Sequence, residues 1–267
     1  MSALASRASL RAVASPSLAL ARRTLRGALR RPQFLAPLVL MPTLFLAINT
    51  GGLHRSTDLP GFPHVDGFLD FQLAGAMTQS LLLGGVMQGI GTALEIEGGF
   101  FDRLVAAPIP RVAIVFGRIL AGTAIAAAQV VWFLALGLVF GVTIHGGVPG
   151  ALLVVMIGAA AGTGFAALGV LIALRARNAS TVQGIFPLVF VVLFVSSAFF
   201  PRGLLSHPAD WAADYNPLSY VADGMRDPII SSVSMAPVLE GLAAALLLVA
   251  GFVGLAVLAL RGRLREA

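Results

Sequence analysis

The chain has 267 residues, of which 58% are hydrophobic and 11% charged, with 30 glycines besides, whereas soluble domains carry about 25% charged residues. So apolar a chain cannot maintain the polar shell that a water-soluble globule needs, which excludes that class. All 18 basic residues are arginine, the net charge is +6, and neither lysine nor cysteine occurs. A lysine-bearing phosphate loop for ATP, a Schiff base, thiolate catalysis, disulfides and cysteine-ligated metals are thereby excluded.

The first 57 residues contain no acidic side chain and several serines, a composition shared with organellar transit peptides, and Arg22-Arg23 resembles the start of a twin-arginine signal. The following run is neither a short apolar core nor followed by a small-residue cleavage site. Residues 17–31 read instead as an interfacial helix. Leu18, Ala21, Leu25, Ala28 and Leu29 share one face, and Arg22, Arg23, Arg26 and Arg30 the other, the pattern of a helix lying along a leaflet.

Six predominantly apolar runs come next, at 33–50, 71–94, 113–142, 150–174, 184–200 and 237–260. About 20 such residues span a bilayer as helix. The first and fifth are short and interrupted by Pro37, Pro42 and Pro187, which membrane helices tolerate where neighbours re-satisfy the freed carbonyls. The third carries Arg118 near its start, so its first turns are expected in the interface and its span from near Ile119. A cytoplasmic N-terminus places 15 arginines inside and leaves only Arg55, Arg202 and Arg226 outside, as the positive-inside rule requires. Asp58, Asp66, Asp70, Asp210, Asp214, Asp223 and Asp227 gather outside. The expectation is an all-α integral membrane protein with six transmembrane helices and both termini cytoplasmic. It is a single domain over 1–267, with a short cytoplasmic helix in the loop 95–111 and an outer re-entrant or interfacial helical segment in the loop 201–236.

The loop after the second run reads Glu95-Ile96-Glu97-Gly98-Gly99-Phe100-Phe101-Asp102-Arg103-Leu104-Val105-Ala106-Ala107-Pro108-Ile109-Pro110-Arg111. Gly98-Gly99 ends one helix, and residues 100–107 form two short turns that Pro108 stops. Phe100, Phe101, Leu104 and Val105 then share one side, an apolar patch that meets either a partner protein or the lipid. In the outer loop Asn216 and Pro217 are an N-cap and first-turn pair, predicting a helix over 217–226. Trp211 and Tyr220 suit a membrane interface.

The run 95–111 resembles the coupling-helix loop of ABC-2 type exporter permeases, especially the drug-resistance, daunorubicin-exporter-like group. Tyr215-Asn216-Pro217-Leu218-Ser219-Tyr220-Val221-Ala222-Asp223-Gly224-Met225-Arg226 resembles that family's segment before the last span. The resemblance implies a non-catalytic permease subunit paired with a second permease, identical or related. A separate ABC ATP-binding subunit would carry the ATP and Mg, and this chain would bind no cofactor. By that likeness Phe100 to Ala107 would dock on the ATPase. Phe100, Phe101 and Leu104 would dominate the contact, and Glu95, Glu97, Gly98, Asp102, Arg103, Pro108 and Arg111 would hold the loop. Arg175, Arg177 and Asn178 offer a second contact or serve as topology anchors. Asn216, Pro217, Tyr220, Asp223 and Arg226 form an outer gate, or simply pack against the span ends.

Polar residues inside spans are costly and often mark a path. Gln72, Gln79, Gln88 and Thr92 in the second run and Gln129 in the third either line a path for an amphipathic molecule or bond between helices. Gly158 and Gly162 have the spacing of close helix packing. Two rivals remain. A membrane-embedded lipid-modifying enzyme would use the outer-loop histidines among His54, His64, His145 and His207, with Asp58 and Asp66 nearby, although chance spacing accounts for these better and no HExxH is present. A secondary transporter would need acidic groups in mid-span, and none occurs there. The function expected is export of a hydrophobic or amphipathic drug, antibiotic or lipid across a bacterial plasma (inner) membrane. Neither a metal site nor nucleic-acid binding is expected.

Overall fold

A computed structural model describes residues 2–266, and their side chains over 12–265 apart from Phe34 and Phe186. Arg7 and Arg11 of the basic N-terminal segment lie outside the described side chains. Among the described residues every element is helical. The elements are α1 (Ser2–Leu29), α2 (Pro32–Leu53), α3 (Phe68–Glu97), α4 (Phe100–Ala106), α5 (Arg111–Val139) and α6 (Gly147–Ala176). They continue as α7 (Ala179–Gly184), α8 (Phe186–Phe194), α9 (Ala209–Asp214), α10 (Pro217–Ile230) and α11 (Met235–Glu266).

Local chemistry sets these boundaries. Pro32 opens α2 in the first turn, where its missing N–H costs nothing. Asn178 and Asn216 cap α7 and α10, accepting from the N–H groups of Thr181 at 2.7 Å and Leu218 at 3.0 Å. Pro187 supplies no N–H to the ladder, and the helix breaks at Ile185, between α7 and the α8 that the fifth apolar run forms.

The six runs thus resolve into three kinds of element. Among the described residues four helices are long and apolar enough to cross a membrane: Leu35–Asp58, Arg111–Val139, Gly147–Ala176 and Met235–Arg265. The second run is a 30-residue helix, α3, as long as these but studded with buried polar groups from Asp70 to Thr92. The fifth forms only the nine-residue α8, preceded by the short α7 and followed by the buried Ser196, Ser197, Ala198 and Phe199.

Helices α3 and α6 form the centre. Helix α2 packs on α3, while α5 lies against both, and α11 and α10 cover the other sides of α6. Close approach depends on missing side chains: a Cβ at Gly169 would collide with the Gly85 carbonyl of α3, and one at Gly162 with Ala126 of α5. Gly158 and Gly162 therefore pack helices within this chain, as their spacing suggests. Outward faces are apolar, with Leu40, Leu44 and Ile48 of α2 and Leu246, Leu247 and Leu258 of α11 exposed, an arrangement that only lipid or another apolar surface satisfies.

Helix α1 also packs on protein. Ser17 and Ala21 are buried against α5, where Gly117 leaves room for Leu20. Leu18 and Leu29 stay exposed. The apolar stripe is divided between the protein and whatever lies outside it, so α1 is docked on the bundle rather than resting on lipid alone.

Candidate functional site

At the bundle end carrying α1, α4 and α7, Gly99 adopts a φ of +68°, which glycine takes without steric cost, and swings α4 out between α3 and α5. Phe101 is 2% exposed, packed with Ile96, Ile114, Ala256 and Leu260. Leu104 and Val105 lean on the same cluster. This corrects the reading of Phe101 as an exposed docking knob, while Leu104 stays partly exposed. Helix α11 continues past the bundle and offers its own apolar end, so the apolar side of α4 turns inward. The guanidinium of Arg263 lies 4.8 Å from the Phe101 ring centre and bonds Asp102 at 3.3 Å. Phe100 is half-buried beneath Arg23, at 3.8 Å. Glu97, Gly98, Asp102, Arg103, Ala106, Pro108 and Arg111 remain exposed.

The neighbours of α4 are fastened to it. Glu97 accepts from the Ala179 N–H at 2.8 Å and so helps hold the start of α7. Asn178 is occupied as a cap, while Arg175 and Arg177 are exposed on the same connection. Glu95 accepts from Arg23 of α1 at 3.1 Å and pairs with Arg118 of α5. Arg118 is 7% exposed, so the charge at the start of α5 is covered by protein. Arg23, Arg118 and Arg263 are contacts that sequence reasoning missed, because their partners lie 72, 23 and 161 positions away.

Helices α1 and α2 join at a tight turn by Arg30 and Arg31 and then diverge, α1 onto α5 and α2 onto α3. The wedge between them is a cavity of about 750 Å³. Arg23, Arg26, Arg30 and Arg31 line its exposed part, Arg118 and Glu95 its wall, and the buried amides Gln88 and Gln129 its interior. Gln88 donates to the Arg118 carbonyl at 2.8 Å. Gln129 donates to the Ser80 carbonyl at 2.9 Å and the Ser80 hydroxyl at 2.8 Å, leaving its Oε1 without a partner. The other expected path residues do not line this cavity. Thr92 bonds back to the Gln88 carbonyl of its own helix at 2.7 Å, while Gln72 and Gln79 are fully buried with neither amide atom partnered.

At the opposite end, the residues read as a gate form a knot. Arg226, 5% exposed, donates to the carbonyls of Phe71 at 3.1 Å, Ser197 at 3.1 Å and Ala198 at 2.8 Å. It also pairs with Asp223 and lies over the Phe71 ring at 3.9 Å. Arg202 bridges Asp223 and Asp214, each at 3.0 Å, above the ring of Tyr220. Burial pulls the Arg202 pKa down, but the Asp223 charge and the bonds that the guanidinium donates to Tyr220 and Asp223 outweigh burial and raise it. Tyr220 donates to the Asp214 carbonyl at 2.8 Å, and Asn216 donates to the Val192 carbonyl at 2.8 Å. Pro217 supplies the first turn of α10. The segment ties α10 to the first turn of α3 and to α8 with the chain that follows it.

His54 bonds the Gly51 carbonyl, His145 approaches Asp66 at 3.5 Å, and His207 approaches Asp210 at 3.4 Å. Among the described residues no three His, Cys, Asp or Glu side chains converge as metal ligands.

An all-helical, apolar-skinned bundle with a short braced helix at one end and a polar-lined cavity beside it defines a multi-pass membrane protein of the transporter class. The family model described as ABC-2 type transporter matches residues 17–230, and the chain belongs to that family. It is also 29% identical, over 204 residues covering 73% of this chain and 68% of the relative, to the daunorubicin resistance ABC transporter permease protein DrrB1 of Streptomyces coeruleorubidus. The chain is thus a membrane transport subunit of the ABC-2 type.

Proposed function

We propose that this chain is the non-catalytic permease half of an exporter, driven by a separate ABC ATP-binding subunit that binds ATP and Mg, with two permeases and two ATPases in the assembly. The observation that carries the reading is α4: a short helix held out from the bundle, braced by Arg23 and Arg263, with Asp102, Arg103, Ala106 and Pro108 facing outward. A helix fixed this way moves as one piece with α3, α5 and α11, so a partner that grips its outer face shifts the long helices directly. Arg175 and Arg177 give the partner a second hold.

In this reading α3 and α7–α8 complete six crossings with the four long apolar helices. On the same reading α1, α4 and both termini lie on the cytoplasmic side of a bacterial plasma membrane, a sidedness that the arginine distribution supports. The cargo is a hydrophobic or amphipathic molecule, as the drug-resistance name of the relative and the amide-lined cavity both favour. Gln88 and Gln129 lie on its route. Affinity purification of the chain in mild detergent should bring down a P-loop ATPase whose hydrolysis responds to amphiphiles. A chain with transport activity of its own and no ATPase would refute the proposal.

A further inference from the structure

The cavity at the α1–α2 wedge holds a charge imbalance that packing does not explain. Five arginines, Arg23, Arg26, Arg30, Arg31 and Arg118, line it against the single carboxylate of Glu95. Arg23 and Arg118 share that carboxylate. No ion pair to Arg26, Arg30 or Arg31 occurs among the described residues. Behind these cations the walls are glycine, alanine and leucine, including Gly91, Gly122, Ala126 and Leu38. The volume, about 750 Å³, falls within the range of sites that enclose drug-sized ligands. Deeper still, Gln88 and Gln129 bring two amides to the lining, each already donating to a backbone carbonyl.

We infer that this cavity binds an amphiphile with an anionic, phosphate-type headgroup, drawn from the leaflet beside α1. Arginine forks pair with phosphate bidentately, while the tail takes the chamber that the small residues leave open. The wedge between α1 and α2 is the lateral entrance. The inference deepens the export reading by naming the ligand class, and rests on it only for the fate of the bound molecule.

The test is native mass spectrometry of the purified full chain with dioleoyl phosphatidylglycerol, dioleoyl phosphatidylcholine or inorganic phosphate. Phosphatidylglycerol should be retained at one per chain and at least about tenfold over phosphatidylcholine, with inorganic phosphate held far more weakly. Two variants separate the chamber from the surface charge. Arg30→Gln with Arg31→Gln removes two exposed cations. Gly91→Phe fills the chamber, since a Cβ there meets nothing nearer than Arg118 Nη1 at 3.8 Å. Each should lower retention about tenfold while thermal midpoints stay put. Equal retention of the two lipids would overturn the inference, as would phosphate binding as tight as lipid. Full retention by Gly91→Phe would also overturn it, by showing that the arginines hold only surface lipid. None of these failures touches the export reading, which stands or falls on the ATPase.

Discussion

Replacing Arg226 by leucine removes a guanidinium bonded to three backbone carbonyls and Asp223 and stacked on Phe71. Asp223 keeps Arg202 at 3.0 Å, so the acid is not left bare, but the three carbonyls lose their donor in a site closed to water. Breaking a buried pair costs about 3–5 kcal/mol, and each orphaned polar group about 1–3. Because the carbonyls share one donor and relax together, the costs do not add, and we expect about 4 kcal/mol. At about 2–4 °C per kcal/mol for a chain of this size, the thermal midpoint in detergent should fall by roughly 10 °C. Trp211, exposed on α9 beside this knot, serves as the fluorescence probe. Arg226→Lys keeps the charge but not the fork, and should lose about half as much. A shift below about 2 °C for Arg226→Leu would refute the argument that α10 is clamped here.

The packing sets three further outcomes. Phe101→Ala opens a hole between α4 and α11; large-to-small changes of this kind cost about 3–5 kcal/mol, and hydrogen exchange should show residues 100–106 losing protection while the spans keep theirs. Gln79→Leu removes an amide that is buried without partners and should stabilise the chain by about 1 kcal/mol, raising the midpoint in a melt. If it lowers the midpoint instead, that amide has a partner in the assembled protein. Gly169→Val drives a side chain into the Gly85 carbonyl, and size-exclusion chromatography should show aggregated protein where the parent is monodisperse.

The sequence exposed what depends on neighbours in the chain. Gly98-Gly99 and Pro108 marked the ends of α4 to within a residue, and Asn216-Pro217 marked the start of α10. The apolar runs located the long helices. What it did not expose depends on partners far along the chain. Nothing near Phe101 announces that Leu260 will cover it, and nothing near Arg118 announces Glu95. Arg226, counted as an outer charge, is buried because Phe71, Ser197 and Ala198 turn their carbonyls toward it. For the candidate site, the amides Gln88 and Gln129 were legible as polar groups in apolar runs. Their meeting in one cavity was not, since it arises from the divergence of α1 and α2.

In the export reading, the outer face of α4 is the place where an ATPase drives the permease. The direct measurement is transport and ATP hydrolysis by the reconstituted assembly carrying Arg103→Glu with Ala106→Asp, both exposed and outside the packed core. Transport should fall at least about tenfold while the thermal midpoint of the permease is unchanged and the ATPase no longer responds to it. Transport at the parental rate, with hydrolysis still coupled, would show that the drive enters elsewhere.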